Sequence, residues 1–160
     1  MKLTDINDAL IAARFEAKIL GRGDDYYQNG AVSDAVLRGD SLTAEVEGSE
    51  YDPYHVRVTL GSDDIADASC TCPYDAEWGG WCKHIAATLI FCAHEPESVE
   101  VAAPLSELLA PLDRAALEGL LLHIARREPA TVGLIADEAE RLQKVTASPK
   151  SAGATPKAVR

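Results

Sequence analysis

Three cysteines and a histidine crowd into fifteen residues, Cys70-Thr71-Cys72-Pro73-Tyr74-Asp75-Ala76-Glu77-Trp78-Gly79-Gly80-Trp81-Cys82-Lys83-His84. The pattern is C-x-C, a nine-residue spacer, then C-x-H. Three thiolates and one imidazole are a donor set that holds structural zinc in a tetrahedron. Soft sulfur ligands favour Zn²⁺ over Mg²⁺ or Ca²⁺. Four protein ligands from Cys70, Cys72, Cys82 and His84 would close the shell, so one structural ion is expected and a catalytic one is not. The C-x-C spacing differs from the C-x-x-C of a thioredoxin-type redox pair. Cys92 and His94 lie close behind as outside substitutes for a ligand. Cys92 reads as a small core residue and His94 as an exposed residue at a helix end.

Those ligands need elements to hold them. Side chains two apart on a regular strand point to opposite faces, so Cys70 and Cys72 must leave the strand in a turn. Pro73 cannot extend a ladder. Gly79-Gly80 lets the spacer fold back. Cys82 falls at the start of a helix over 82–94, where free N–H groups and the helix dipole favour a thiolate. His84 lies in its first turn, and Glu95-Pro96 stops it.

Upstream, apolar residues at helical spacing predict a helix over 5–20, with Thr4 as N-cap and Gly21 and Gly23 as terminators. Tyr26 and Tyr27 are expected to pack between that helix and a sheet. The period then changes to two, and segments 31–37, 41–46, 54–60 and 65–69 read as strands of an antiparallel meander with one covered face. Downstream, Asp113 caps a helix to Arg127, and Pro129 suits the first turn of the next, giving a helical hairpin within 104–145. Residues 146–160 are rich in Ser, Ala, Pro and Lys and read as disordered. The expected class is α+β: an N-terminal helix, a small antiparallel sheet and a ββα-type zinc finger over 1–97, then the hairpin and the tail.

The 160 residues include 26 acidic and 15 basic side chains, a net charge of −11. The acidity is local: residues 1–100 hold 19 acids and 7 bases. Such a surface serves solubility or attracts a basic partner, and it argues against mainly electrostatic binding to DNA or an anionic membrane. No apolar run approaches the ~20 residues of a membrane span. Met1 to Asp5 do not open a secretory signal, so a cytoplasmic protein with reduced thiols is expected. No P-loop, dinucleotide fingerprint or nucleophile elbow occurs, and no enzyme activity is expected.

The zinc pattern and the helix that follows it, Cys82-Lys83-His84-Ile85-Ala86-Ala87-Thr88-Leu89, resemble the SWIM zinc finger. The lead-in, from Phe15 through Tyr26-Tyr27-Gln28-Asn29-Gly30-Ala31-Val32 to Tyr54-His55-Val56-Arg57-Val58, is similar to that of bacterial SWIM proteins. The resemblance covers roughly residues 10–95. It implies zinc on Cys70, Cys72, Cys82 and His84 in a ββα arrangement. It also implies binding to DNA or protein, since SWIM modules accompany chromatin-remodelling-type ATPases, transposases, kinases and recombination factors. Gly23-Asp24-Asp25-Tyr26 stands where more basic residues would suit DNA.

Trp78 and Trp81 flank the glycine pair. Each either packs over the metal cluster or sheet, or stands exposed as a partner anchor, with Lys83 beside them. The expected role is a non-enzymatic adaptor for another protein, such as an ATPase or nucleic-acid enzyme, without small-molecule substrate or membrane. The alternative is nucleic-acid binding through Lys83, Arg57, Arg38 and the tryptophans.

Overall fold

In the computed structural model, residues 2–147 are described, except for the side chains of Trp78, Thr146 and Ala147. The chain divides into two units, Met1–Leu108 and Leu109–Arg160.

The first unit begins with a 3₁₀ turn, Leu3–Asp5, and two helices, α1 (Asp8–Ala12) and α2 (Ala17–Gln28). The single helix expected over 5–20 is therefore broken. The cap is Asn7, whose side chain accepts from the Leu10 amide at 3.1 Å, and not Thr4. The break carries Phe15 inward, where it is buried. The expected terminators also fail: α2 runs through Gly21 and Gly23 to Gln28. Gly23 has a packing reason. A Cβ there would lie 2.5 Å from the Ala86 Cβ and 3.1 Å from the Ala87 amide nitrogen.

Four strands follow: β1 (Val32–Arg38), β2 (Ser41–Val46), β3 (Tyr54–Leu60) and β4 (Ile65–Cys70). They pair antiparallel in sequence order, as the alternating pattern predicts. Side chains on one face, including Leu42, Ala44, Val46, Val56, Val58 and Leu60, are buried. Their alternates, such as His55 and Arg57, face the open side. A fifth strand, β5 (Glu100–Ala102), pairs parallel with β1, giving the order β4-β3-β2-β1-β5. Three residues show no period, so this strand is invisible in the sequence.

Between β4 and β5 lie α3 (Pro73–Trp78) and α4 (Lys83–His94). Helix α4 is the centre of the unit. Residues His84 to Ile90 and Cys92 are all buried. A helix apolar on every side needs cover on every side. The sheet supplies one cover, and α1 and α2 supply the other. Tyr26 and Tyr27 lie with their ring edges toward His84 and His94 of α4, at centroid distances of 5.2 Å and 5.4 Å. They therefore pack on the helix and not between helix and sheet. Burial pushes the Cys92 thiol up to about 12, as suits a neutral core residue.

After β5 comes α5 (Leu105–Leu109). In the second unit, α6 (Arg114–Arg127) and α7 (Thr131–Ala147) contact each other. Asp113 caps α6 as expected, accepting from the Ala116 amide at 2.8 Å. Pro129 stands just before α7 and not inside it. Of the tail expected from residue 146, all but the first two residues lie outside those described. No helix among the described residues is long and apolar enough to cross a membrane.

Candidate metal centre

The four ligand candidates come from three element ends. Cys70 closes β4, Cys72 is the N-cap of α3, Cys82 is the N-cap of α4, and His84 follows in its first turn. Only Thr71 separates strand end from helix cap, so the turn required by C-x-C is present. Pro73 does more than end the ladder: it occupies the first turn of α3, where its missing N–H costs nothing. The return from α3 to α4 needs left-handed backbone. Gly79 and Gly80 have φ of 69° and 72°, and Trp81 follows at 51°.

This folding brings the donor atoms of Cys70, Cys72, Cys82 and His84 within 4.8 Å of one another. The residues are 7%, 2%, 1% and 3% exposed. The His84 Nδ1 lies 3.6 Å from the Cys70 Sγ and 3.8 Å from the Cys82 Sγ. A tetrahedron with Zn–S near 2.3 Å and Zn–N near 2.0–2.1 Å has edges of about 3.6–3.8 Å. These two Nδ1–sulfur distances match the edges such an ion needs. With the metal bound, three thiolates and Zn²⁺ sum to one negative charge, and no open position is left for a substrate.

Without metal, the cluster's protons are unequally held. The Cys82 thiol is drawn down to about 4, chiefly by a hydrogen bond from Cys70, with help from His84 and the Ile85 amide. Cys70 is pushed up by its pairing with Cys82 and by burial. Cys72 is pushed up chiefly by burial.

Residues that the motif does not name hold the cluster in place. The Asp75 carboxylate accepts from the Cys70 amide at 3.1 Å and from the Gly80 amide at 2.8 Å. It ties the two halves of the metal loop together. We expect Asp75→Ala to weaken zinc binding by about tenfold, measured by competition with a chromophoric chelator. The Tyr54 ring stacks on His84 at 4.5 Å. Gly48 makes room for it, since a Cβ there would lie 2.2 Å from the Tyr54 ring. The sequence signal for these supports is weak: an acid three residues after Cys72, and an aromatic at the start of β3.

The other residues singled out in the sequence have their own partners. Trp81 is half-buried, edge to face with Phe15 at 5.3 Å, and the Arg14 guanidinium lies 5.3 Å over its ring. Arg14 also pairs with Asp64. The expectation for the Trp78 side chain falls outside what is described. The Lys83 Nζ donates to the Tyr26 hydroxyl at 2.6 Å and lies 4.3 Å over the same ring. Arg38 donates to the Ala103 carbonyl at 2.8 Å. Arg57 lies on the open face of the sheet, whereas Lys83 belongs to the helix that covers the other face. These cations do not form one patch. His94 bonds Asp8 at 2.9 Å, and the metal cluster found among the described residues is Cys70, Cys72, Cys82 and His84, without Cys92.

A helix-capped, strand-anchored Cys₃His cluster of this kind defines a structural zinc finger within an α+β unit. Residues 54–93 match the family model of the SWIM zinc finger. Over 112 residues, 68% of its length, the chain is 31% identical to zinc finger SWIM domain-containing protein 8 of Bos taurus and of Homo sapiens. Over 118 residues, 73% of its length, it is 31% identical to the homolog of that protein from Drosophila melanogaster. These relatives are animal proteins, and none of them is bacterial. The chain spans 8% of the Bos taurus protein and 6% of the other two. No solved structure matches significantly.

Proposed function

We propose that the chain is a non-enzymatic, zinc-stabilised module that binds another protein in a reducing, cytoplasmic setting. The closed and buried Cys₃His cluster carries this reading. It offers no position for a substrate, so the metal's contribution is to fold the unit. Charge supports a protein partner over nucleic acid. Residues 1–100 are strongly acidic, and Lys83 and Arg38 are engaged within the fold. The partner class suggested by the SWIM resemblance is an ATPase or a nucleic-acid enzyme.

The test is capture of partners from native lysate by the intact chain and by Cys82→Ser, each with and without nuclease. Partners that survive nuclease and are lost with Cys82→Ser are the expected result. Partners lost on nuclease treatment would overturn the reading, and would identify nucleic acid as the ligand.

A further inference from the structure

A groove of about 520 Å³ runs between α1, α2 and α4 in the first unit. Ile11, Ala12, Ala17, Leu20, Gly21 and Ile90 line it. Ala17, Leu20, Gly21 and Asp24 are spaced at i, i+3, i+4 and i+7, so they form one stripe along two turns of α2.

Two features of this stripe stand out. The first is Gly21. A glycine inside a helix costs about 1 kcal/mol relative to alanine, and Gly23, two residues on, is explained by contact with α4. Gly21 has no such contact: nothing lies within 4 Å of where its Cβ would be. With Ala12 and Ala17 beside it, Gly21 leaves a shallow floor that another backbone can approach closely. The second feature is charge. Asp8 and Asp24 stand at the rim with His94, and His94 is already bonded to Asp8. No lysine or arginine is among the lining residues.

We propose that this groove docks an amphipathic helix of the partner protein, with an apolar ridge on Leu20 and Gly21 and Lys or Arg side chains facing Asp8 and Asp24. A helix suits the site because the stripe has helical spacing, as when one helix ridge seats in another's groove. A basic flank suits it because Asp8 and Asp24 stand at the rim with no lysine or arginine among the lining residues, and steering by the surrounding acidic surface has the same sign. This inference rests on the protein-binding reading above and names its surface.

The probe is a helical peptide with a leucine stripe flanked by lysines. A control peptide carries glutamate in place of each lysine. Each is titrated into the zinc-loaded full chain and followed by backbone amide shifts. The lysine peptide should shift Ala12, Ala17, Gly21 and Ile90. Gly21→Leu, which fills the groove, should weaken it by about tenfold or more, and Asp24→Lys by several-fold. Melting curves of both variants check that the fold is intact. Shifts that map elsewhere, equal binding by Gly21→Leu, or equal binding of the glutamate peptide would each overturn the proposal. The lysate capture keeps the two readings apart. If Gly21→Leu still retains nuclease-resistant, zinc-dependent partners, the module binds protein through another surface. If capture is nuclease-sensitive while the peptide still maps to the groove, the protein-binding reading fails and the groove assignment stands.

Discussion

Stripping zinc from the protein should unfold its first unit. The four ligands are also core residues: Cys70, Cys72, Cys82 and His84 are buried among the side chains that join the sheet to α4. The ion ties the end of β4 to the starts of α3 and α4, and nothing covalent replaces it, since the cysteines are free thiols. Structural zinc supplies on the order of 10–16 kcal/mol of apparent binding energy, against about 5–15 kcal/mol for the whole stability of a typical domain. Excess chelator should therefore lower the melting temperature by about 20 °C or more, or abolish the cooperative transition. Readdition of zinc should restore it. Cys82→Ser should behave like the chelated protein.

The protonation pattern sets the sign with pH. Cys70 and Cys72 hold their protons above the usual thiol range when no metal is bound. Zinc must displace those protons, so its affinity should rise with pH and fall in acid. A chelator titration at two pH values checks the direction.

Gly23→Val should be the most damaging substitution in α2, where Gly23 is buried. A side chain at this site meets the Ala86 methyl and the α4 backbone, at 2.5 Å to the Ala86 Cβ and 3.1 Å to the Lys83 carbonyl oxygen. Backbone cannot yield as a flexible side chain does, so α2 must lift from α4. Overpacking of this kind costs about 3 kcal/mol, which lowers the melting temperature by some 12–24 °C for a unit of this size. Gly21→Ala, two residues away in open space, should instead stabilise the helix by up to about 1 kcal/mol. Thermal melts of the two variants should move in opposite directions. Equal losses would mean that ordinary helix propensity, and not the contact with Ala86, governs both positions.

These two glycines also show where the sequence misleads. Read locally, Gly21 and Gly23 end a helix. In the fold, the contact with α4 overrides the local preference and α2 continues. Thr4 misleads too: it lies inside the 3₁₀ turn Leu3–Asp5, and Asn7, a residue type that caps at least as well, caps α1. By contrast, strands β2 and β3 were legible because one face of each is buried and the other is more exposed, which leaves a period of two. Strand β5 leaves no such trace, since three residues paired at an edge carry no alternation.

The metal site was the most legible feature. Its ligands are local in sequence, and their chemistry depends on residue type more than on tertiary contacts. What the motif could not reveal is the support around it. Asp75 bridges amides on both sides of the loop, and Tyr54 reaches His84 from a strand thirty residues earlier. For Trp81 the sequence left packing and partner anchoring both open, with Lys83 beside it. The fold seats them against Phe15 and Tyr26, a pairing between distant segments that no spacing rule encodes.

X-ray absorption at the zinc edge of the purified chain, with metal content measured on the same sample, tests the central claim most directly. The account expects one zinc per chain, held by three sulfurs at about 2.3 Å and one nitrogen at about 2.0–2.1 Å, with no oxygen in the shell. Fewer than three sulfurs together with a bound water would contradict it, because the site would then be open and its role would no longer be purely structural.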